Sequence, residues 1–329
     1  MDSREIVQRT LDFSGPERVA RSFGNSDFTW GYCSTKTHAT DWKEVGGGRW
    51  ERYDEWGNLW ARIDPTSKGE VEKGAIEDID GIASFEFPDY SRPEDYSCVR
   101  EARDKNPDKY FIGGVPGFTF NIARKLRKLE QYLMDILLEP EAISGLHDKV
   151  DVVIHAMIRN YAACGVDSIM FAEDWGTQNQ TLLSPELWRK EFFPRTKSHC
   201  DLAHKMGIKV FMHSCGQIEA IVPGLIEAGI DVLQFDQPAL HGIDVLASHQ
   251  AMSKITFWCP VDIQKTLQTC DEMEIRKGAR EMLDKLWKGR GGFIAGYYGD
   301  NESIGLDPKW QDFACDEFTK NGLRTRYAK

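Results

Sequence analysis

The chain has 329 residues, 41% of them hydrophobic, which provides enough apolar surface for one large barrel or two modest domains. Its formal net charge of −11, from 41 basic and 52 acidic residues, argues against nucleic acid or anionic lipid as a partner. No apolar stretch approaches the roughly 20 residues of a membrane span. No secretory signal is visible at the start of the sequence either, so we expect a cytoplasmic protein that does not bind membranes.

The first hundred residues are rich in tryptophan. Five of the ten tryptophans precede residue 61, and the run from Gly46 to Trp60 predicts a β-hairpin with its turn near Glu55–Asn58. We expect residues 1–105 to include an aromatic-rich N-terminal extension that caps the main fold or covers its mouth. Residues 1–329 are predicted to form a single domain around that fold.

From about residue 108 onward, short apolar runs alternate with longer amphipathic segments. The runs have the length and the Val, Ile and Phe content of buried strands, and they are Tyr110–Val115, Ser168–Phe171, Lys209–Met212, Val232–Phe235, Ile255–Trp258 and Phe293–Ala295. The intervening segments have helical features, such as an apolar face from Ile122 to Leu137 and a helix over about 140–163. At least six such units, without a GxGxxG sequence, favour a (β/α)8 TIM barrel over an open α/β sheet.

Polar residues follow several of these predicted strands, at the end where parallel α/β folds gather their active groups. His213 and Cys215 are the most informative pair, since two residues that are two apart in an extended segment project to the same face. Imidazole and thiolate are both ligands that zinc accepts. We therefore predict that His213 and Cys215 bind Zn²⁺, with Glu173 as the third ligand. Asp174 is the alternative third ligand, or the group that orients the histidine ring.

The other strand ends supply candidates for catalysis and for substrate binding. For catalysis we select Asp174 together with Tyr297 and Tyr298, whose hydroxyl groups could donate a proton. The predicted substrate-binding residues come from three different strand ends and are Trp175, Asp236, Gln237 and Asn301. Cys259 and the remaining cysteines form no CxxC pair and are interpreted as structural.

Several segments together resemble the uroporphyrinogen decarboxylase superfamily over most of the chain. They are YDEWGNLW, FAEDWGTQ, LLSPELWRKEFFP, GIKVFMHSCGQI, GIDVLQFDQP and GGFIAG. The arginine-rich segment near the N-terminus of the decarboxylases is not found, and the HxCG sequence resembles the zinc methyltransferase branch instead. The resemblance implies a TIM barrel, a bound Zn²⁺ and, as partner, a small protein that carries a corrinoid (cobalamin). Whether the protein forms a homodimer is left open by the sequence.

One departure from the family pattern bears on the reaction. The members that methylate coenzyme M take a further cysteine ligand from the last strand region, where this chain has Gly299. A ligand set of Glu, His and Cys is harder than a set with two thiolates and suits activation of an ether oxygen. We therefore predict a methyltransferase of the O-demethylase type, which moves a methyl group from a small methoxylated aromatic to the corrinoid protein.

Two other reactions fit the same sequence. One is methyl transfer from a methylated corrinoid to a thiol, and the other is a metal-free, decarboxylase-like lyase reaction that uses Asp and Tyr. A non-enzymatic ligand-binding protein is a third interpretation, and it predicts binding that survives the loss of His213 and Cys215. The identity of the methyl donor and the direction of transfer are not encoded in any recognisable motif.

Overall fold

The computed structural model describes residues 1–327 and contains two sheets. The larger sheet has eight parallel strands, which are β1 (Ala20–Arg21), β2 (Phe28–Gly31), β7 (Tyr110–Gly114), β8 (Ser168–Ala172), β9 (Lys209–His213), β10 (Val232–Gln234), β11 (Thr256–Cys259) and β12 (Phe293–Ala295). Their spatial order is β1-β12-β11-β10-β9-β8-β7-β2. Since β1 and β2 are neighbours along the chain and stand at opposite ends of this order, the sheet curves into a nearly closed barrel. The predicted (β/α)8 TIM barrel is confirmed.

Helices cover the outside of the barrel and connect successive strands. They are α1 (Ser3–Leu11), α2 (Ser97–Lys105), α3 (Thr119–Leu126), α4 (Leu129–Leu138), α5 (Pro140–Ala163), α6 (Pro185–Glu191), α7 (Phe193–Lys205), α8 (Val222–Ala228), α9 (Ile243–Met252), α10 (Glu272–Met282) and α11 (Lys309–Asn321). The apolar face predicted from Ile122 to Leu137 belongs to two helices, because the chain turns at Lys128, whose φ is 61°. Within residues 1–327, no helix has the length and apolar character needed to cross a membrane.

The barrel is filled by inward-facing side chains and is closed at its lower end by α1. The interior cluster includes Phe28, Tyr110, Phe211 and Trp258, which lie on four different strands. Phe28 stacks on Trp258 with ring centroids 4.7 Å apart. The apolar face of α1 packs against the same cluster, and the amide of its Arg4 donates to the carbonyl of Asp108, just before β7. The polar residues of the candidate site lie at the opposite end of the barrel, where the strands finish.

The smaller sheet is antiparallel and comes from the tryptophan-rich region. Its strands pair in chain order and are β3 (Lys43–Gly46), β4 (Arg49–Tyr53), β5 (Leu59–Arg62) and β6 (Glu70–Lys73). The predicted hairpin is therefore present as β4 and β5, joined through residues 54–58. Residues 1–31, in contrast, contribute α1 and two strands to the barrel itself, so the added sheet is confined to 43–73 within the 1–105 region. We call residues 43–73 the lid sheet.

The lid sheet contacts the barrel near the ends of two strands. Next to β6, the amide of Ile76 donates to the carbonyl of Leu126 at the end of α3. The loop between β5 and β6 carries Lys68, whose ammonium group lies 3.7 Å from the carboxylate of Asp300 in the loop after β12. These contacts place the lid sheet beside the loop after β12, at the mouth of the barrel.

Candidate metal centre

Three adjacent strands bring the polar residues of the site together. In the register of the sheet, His213 at the end of β9 is aligned with Ala172 of β8 on one side and with Gln234 of β10 on the other. The carboxyl ends of parallel strands meet at one edge of a sheet, so the residues after Ala172 and after His213 lie next to each other. Sequence positions forty residues apart thereby become neighbours.

Asp174, His213 and Cys215 form a compact cluster at this edge. One potential ligand atom from each residue lies within 4.8 Å of the other two. The Nε2 atom of His213 is 3.2 Å from the Sγ atom of Cys215 and 3.4 Å from Oδ1 of Asp174. The backbone amide of Cys215 donates to the same carboxylate oxygen at 3.0 Å. A carboxylate, an imidazole and a thiol therefore converge on one point.

The orientation of the His213 ring is fixed from behind. Its Nδ1 atom is hydrogen-bonded to the side-chain oxygen of Gln234, and the amide nitrogen of Gln234 donates to Oδ1 of Asp236 at 2.8 Å. Since the amide nitrogen faces an acceptor, the amide oxygen must face the ring, and Nδ1 carries the proton. When the ring is neutral, the lone pair of Nε2 is therefore directed toward Asp174 and Cys215, which is the tautomer that metal ligation requires.

Glu173 lies elsewhere, although it is the neighbour of Asp174. Its side chain is buried, and its Oε1 atom accepts hydrogen bonds from the amides of Phe118 (2.8 Å) and Asn121 (3.3 Å) at the start of α3. Burial raises the pKa of Glu173 to about 8, although these two amides oppose the rise. The carboxylate that the structure places with His213 and Cys215 is that of Asp174, the alternative considered from the sequence, and not that of Glu173.

The residues of the cluster shift one another's pKa values. Partial burial alone would raise the pKa of Asp174, but His213 and Arg124 outweigh it, and the pKa of this carboxyl is lowered. Burial likewise opposes a charged His213 ring, yet the adjacent Asp174 and Cys215 raise the pKa of the imidazole well above its usual value. The Asp174 carboxylate and the Cys215 sulfur thus both favour positive charge at the position of the ring, which is the electrostatic condition that favours a bound cation.

The donor set fits zinc on structural grounds. It combines one sulfur, one nitrogen and one oxygen, and the nitrogen has its other ring position already hydrogen-bonded. The thiol of Cys215 is exposed at the barrel mouth, while the side chain of His213 is 17% exposed. Three protein ligands next to an open mouth leave room for a fourth group from a substrate.

Two glycines allow the loops that carry the ligands to touch. Gly216 has a φ of 79°, and a Cβ atom there would lie 2.3 Å from the backbone carbon of Gly176. The reverse holds as well, because a Cβ atom on Gly176 would lie 2.6 Å from the backbone of Gly216. The amide of Gln217 then donates to the carbonyl of Thr177 at 2.7 Å and joins the two loops. The glycines after EDW and HSC therefore bring Asp174 and Cys215 into contact.

The sequence profile of uroporphyrinogen decarboxylase (URO-D) matches residues 62–297, which is most of the chain. The chain belongs to the URO-D family. The superfamily predicted from the sequence segments is thereby confirmed. A comparison with curated protein sequences gave no match.

Solved structures that share the fold of this URO-D family chain have low sequence identity to it. A methyltransferase from Methanosarcina mazei superimposes with a TM-score of 0.61 at 14% identity, covering 97% of this chain and 85% of that chain. A B12-independent methionine synthase from Shewanella sp. W3-18-1 gives a TM-score of 0.44 at 10% identity, over 80% of this chain and 70% of that one. At these identities the likeness concerns the fold alone.

Two of the predicted substrate-binding residues, Trp175 and Asp236, have other surroundings in this URO-D barrel. Trp175 is 2% exposed and stacks on Phe120 with centroids 3.9 Å apart, so it packs in the layer between barrel and helices and does not line the mouth. Asp236 accepts from Gln234 and acts on the His213 ring through it. The side-chain oxygen of Gln237 is buried without a partner among residues 1–327. Asp236 thus positions a ligand, and Gln237 remains a candidate for substrate contact.

The residues after β12 form a separate polar group at the mouth. The side-chain amide of Asn301 donates to the hydroxyl of Tyr297 at 3.3 Å, and the hydroxyl of Tyr298 lies 3.4 Å from the ammonium group of Lys68. Burial opposes the charge of Lys68, but Tyr298, Asp300 and Cys215 raise the pKa of its ammonium group. Lys68 is thus in electrostatic range of both Tyr298 and Cys215 of the candidate metal-binding cluster, which is the group Asp174, His213 and Cys215.

Sequence reasoning missed Arg124, Gln234 and Lys68. Arg124 on α3 donates from Nη2 to the outer oxygen of Asp174 at 3.4 Å and so balances a proposed ligand. Gln234 carried a detectable signal, because it is the one amide within the apolar run VLQF, one strand away from His213. Lys68 carried none, since a lysine in a hairpin loop is ordinarily solvated.

Proposed function

We propose that this chain is a zinc-dependent methyltransferase that transfers a methyl group from a small methoxylated aromatic to the corrinoid of a partner protein. The convergence of Asp174, His213 and Cys215 at the barrel mouth carries the proposal. In this assignment Asp174, His213 and Cys215 hold the zinc ion. When bound there, the ion would supply a Lewis acid for the ether oxygen of the methyl donor.

The composition of the cluster favours an ether over a thiol substrate. A single sulfur, with one nitrogen and one carboxylate oxygen, makes a harder donor set than one with two thiolates. Cys259 is fully buried at the end of β11, and burial raises the pKa of its thiol far above the usual value. It is thus unsuited to serve as a second thiolate, and the thiol-methylating alternative has no second sulfur among residues 1–327 in the cluster.

The protein's own groups have defined tasks in the transfer. In the proposed transfer, the C–O bond of the methoxy group would break with its electron pair kept by oxygen, and the methyl carbon would be taken up by the cobalt(I) nucleophile that the partner's corrinoid would supply. The departing oxygen accepts a proton as it is released. Tyr298, which lies beside the cationic Lys68, is the proposed proton donor. Tyr297, whose hydroxyl accepts from Asn301, is proposed to orient the aromatic ring of the substrate. Arg124 lies 3.4 Å from the outer oxygen of Asp174 and balances part of its charge.

A methyl-transfer assay with defined reagents tests this function. Zinc-loaded protein is mixed anaerobically with cob(I)alamin and a panel of methoxylated phenols and benzoates, and methylcobalamin is followed by absorbance while the demethylated phenol is quantified. We expect both products in equal amounts, and their loss in His213→Ala. Formation of neither product would contradict the proposal. Methyl transfer from methylcobalamin to a thiol, without ether cleavage, would favour the alternative reaction instead.

A further inference from the structure

A cavity lies between the lid sheet and α3, next to the metal-binding cluster. Its volume is about 310 Å³, and its wall includes Trp60 and Val71 from the lid sheet and Leu129, Arg124 and Lys125 from the barrel. We call it the lid cavity. Through Arg124, which contacts the outer oxygen of Asp174, the lid cavity adjoins the site where the reacting group would be held. Its size is at the lower end of the range of pockets that enclose small ligands.

The two cations in the wall differ in how they are neutralised. Arg124 is paired with Asp174 and also donates twice to the side-chain oxygen of Asn121. Lys125 has neither an ion pair nor a hydrogen bond from its ammonium group to any of residues 1–327, and Glu55, Asp54 and Asp174 act on it only at longer range. Its Nζ atom lies 5.5 Å from the centre of the Trp60 ring. One positive charge in the cavity wall is thus left without a direct counter-charge.

This unbalanced charge is unfavourable for the empty protein. Burial, the largest influence, lowers the pKa of Lys125, and the neighbouring Arg124 adds to this effect. A partly desolvated ammonium group recovers much of its cost only when an anion forms a charge-assisted hydrogen bond with it. Two acids, Glu70 and Glu130, also line the cavity, but both are exposed and neither forms an ion pair with Lys125; Glu130 lies 3.8 Å from Lys128 instead. The missing counter-charge therefore points to a ligand.

We propose that the lid cavity binds an aromatic monocarboxylate, with the carboxylate at Lys125 and the ring against Trp60, Val71 and Leu129. One unpaired cation matches a monoanion better than a phosphate dianion, and the apolar wall matches an aromatic ring. The inference rests on the proposed function, because it makes the methyl donor a methoxylated benzoate, whose methoxy group would reach toward Asp174. It assigns substrate selection to the lid sheet and to α3.

Binding of two probes of equal shape tests this assignment without any turnover. Calorimetric titration compares 4-methoxybenzoate with neutral 4-methoxybenzamide, using both metal-free and zinc-loaded wild-type protein. We expect the carboxylate to bind at least tenfold more tightly than the amide. Lys125→Met should abolish this preference by weakening the carboxylate alone, while Lys125→Arg should keep it. Lys277→Met, which removes an exposed lysine of α10, is the matched control and should change neither affinity.

The possible results separate this inference from the proposed function. Equal affinities for the two probes in the wild type, no measurable carboxylate binding, or a preference that survives Lys125→Met would overturn the inference. Displacement of 4-methoxybenzoate by equimolar inorganic phosphate would also overturn it, because the site would then be a general anion site. Zinc content is measured on the same samples. A zinc-containing protein without carboxylate preference refutes the inference alone, whereas carboxylate preference in a protein that binds no zinc refutes the proposed metal centre alone.

Discussion

Two histidine–carboxylate pairs in this barrel differ in what surrounds them. At the mouth, His213 lies beside Asp174 and the thiol of Cys215. Between α5 and α7, His199 lies 3.1 Å from Asp151, and its side chain is fully buried. Arg195 donates to Asp151 at 2.5 Å, and the hydroxyl of Thr119 donates to the same carboxylate at 2.6 Å. In the second pair a cation and a hydroxyl both contact the carboxylate beside the histidine, whereas in the first pair a thiol lies next to the histidine and the cation contacts only the outer oxygen of the carboxylate.

The difference teaches that residue type does not distinguish a site from a structural cluster. Asp151 is contacted by His199, Thr119 and the cationic Arg195, so its pKa is lowered although burial opposes this. The pair at the mouth has its nearest cation, Arg124, on the far oxygen of Asp174, so the oxygen near His213 and Cys215 accepts a backbone amide but contacts no arginine or lysine. An excess of converging donors at an open strand end marks a site for an added cation, and a balanced cluster between helices marks a contribution to stability.

The largest expected effect separates the two clusters by metal content. His213→Ala and Cys215→Ser should each lower zinc affinity by more than about 100-fold, because each removes one of three protein ligands. Zinc per chain after dialysis against a weak chelator measures this. His38→Ala and Cys270→Ser replace exposed residues of the same types and should retain zinc like the wild type. Loss of zinc in the controls as well would mean that the metal is not held by the cluster.

The second effect concerns stability. Asp151→Asn should destabilise the fold by about 2 kcal/mol at pH 7, because it leaves Arg195 and His199 with a neutral partner in a partly buried place. The folded-state pKa of Asp151 is lowered, so its contribution is present above the unfolded value of about 4 and is lost as the pH falls through the folded value. The free energy of unfolding, measured with denaturant, should therefore differ between wild type and variant by an amount that decreases below about pH 4.

Zinc content is the control for that variant. Asp151→Asn should bind zinc as the wild type does, since its carboxylate lies between α5 and α7 and not among the ligands. Two results would contradict the distinction between the clusters. One is a difference in free energy of unfolding that grows toward low pH, and the other is a variant that loses zinc while its stability is unchanged.

A smaller effect is expected from the group behind the histidine. Gln234→Leu removes the acceptor of the Nδ1 proton and should lower zinc affinity about tenfold, because ring orientation and basicity are then no longer fixed. A competition titration with a zinc indicator measures the change. Gln234→Glu keeps an acceptor at that position and should lose less zinc affinity than Gln234→Leu. Equal affinities in wild type and Gln234→Leu would exclude a positioning role.

The smallest effect lies at the lid sheet. Lys68→Met removes a contact with Tyr298 and Asp300 that spans 3.4–3.7 Å at the surface, so it should change stability by less than about 1 kcal/mol. If Lys68 assists Tyr298 in protonation, turnover with methoxylated substrates should fall several-fold while their binding stays unchanged. A change in binding with unchanged turnover would place Lys68 in substrate recognition instead.

Much of the barrel could be predicted from the sequence because its strands are continuous apolar runs. All six predicted runs from Tyr110 onward are strands, and each of their ends lies within one residue of the predicted bound. The strands β1 and β2 were not recognised individually, because two to four residues carry too little periodicity. The break between α3 and α4 was missed as well, because the apolar face continues through Lys128.

The site was predicted in part for a similar reason. The placement of His213 and Cys215 follows from their spacing on one strand, which is a local property. The choice between Glu173 and Asp174 depends on α3, whose first amides bind the Glu173 carboxylate and so turn the adjacent Asp174 to the mouth. The burial of Trp175 away from the barrel mouth has the same cause, since its ring packs on Phe120 of α3. Interactions between distant segments of this kind leave no periodic signal in the sequence.

The central claim, a zinc ion held by Asp174, His213 and Cys215, is tested most directly by zinc K-edge X-ray absorption on the zinc-loaded protein. The account predicts one sulfur neighbour at about 2.3 Å together with nitrogen or oxygen neighbours at about 2.0–2.2 Å. In Cys215→Ser, any zinc that remains bound should lack the sulfur neighbour. A wild-type spectrum without sulfur, or a sulfur neighbour that persists in Cys215→Ser, would contradict the account.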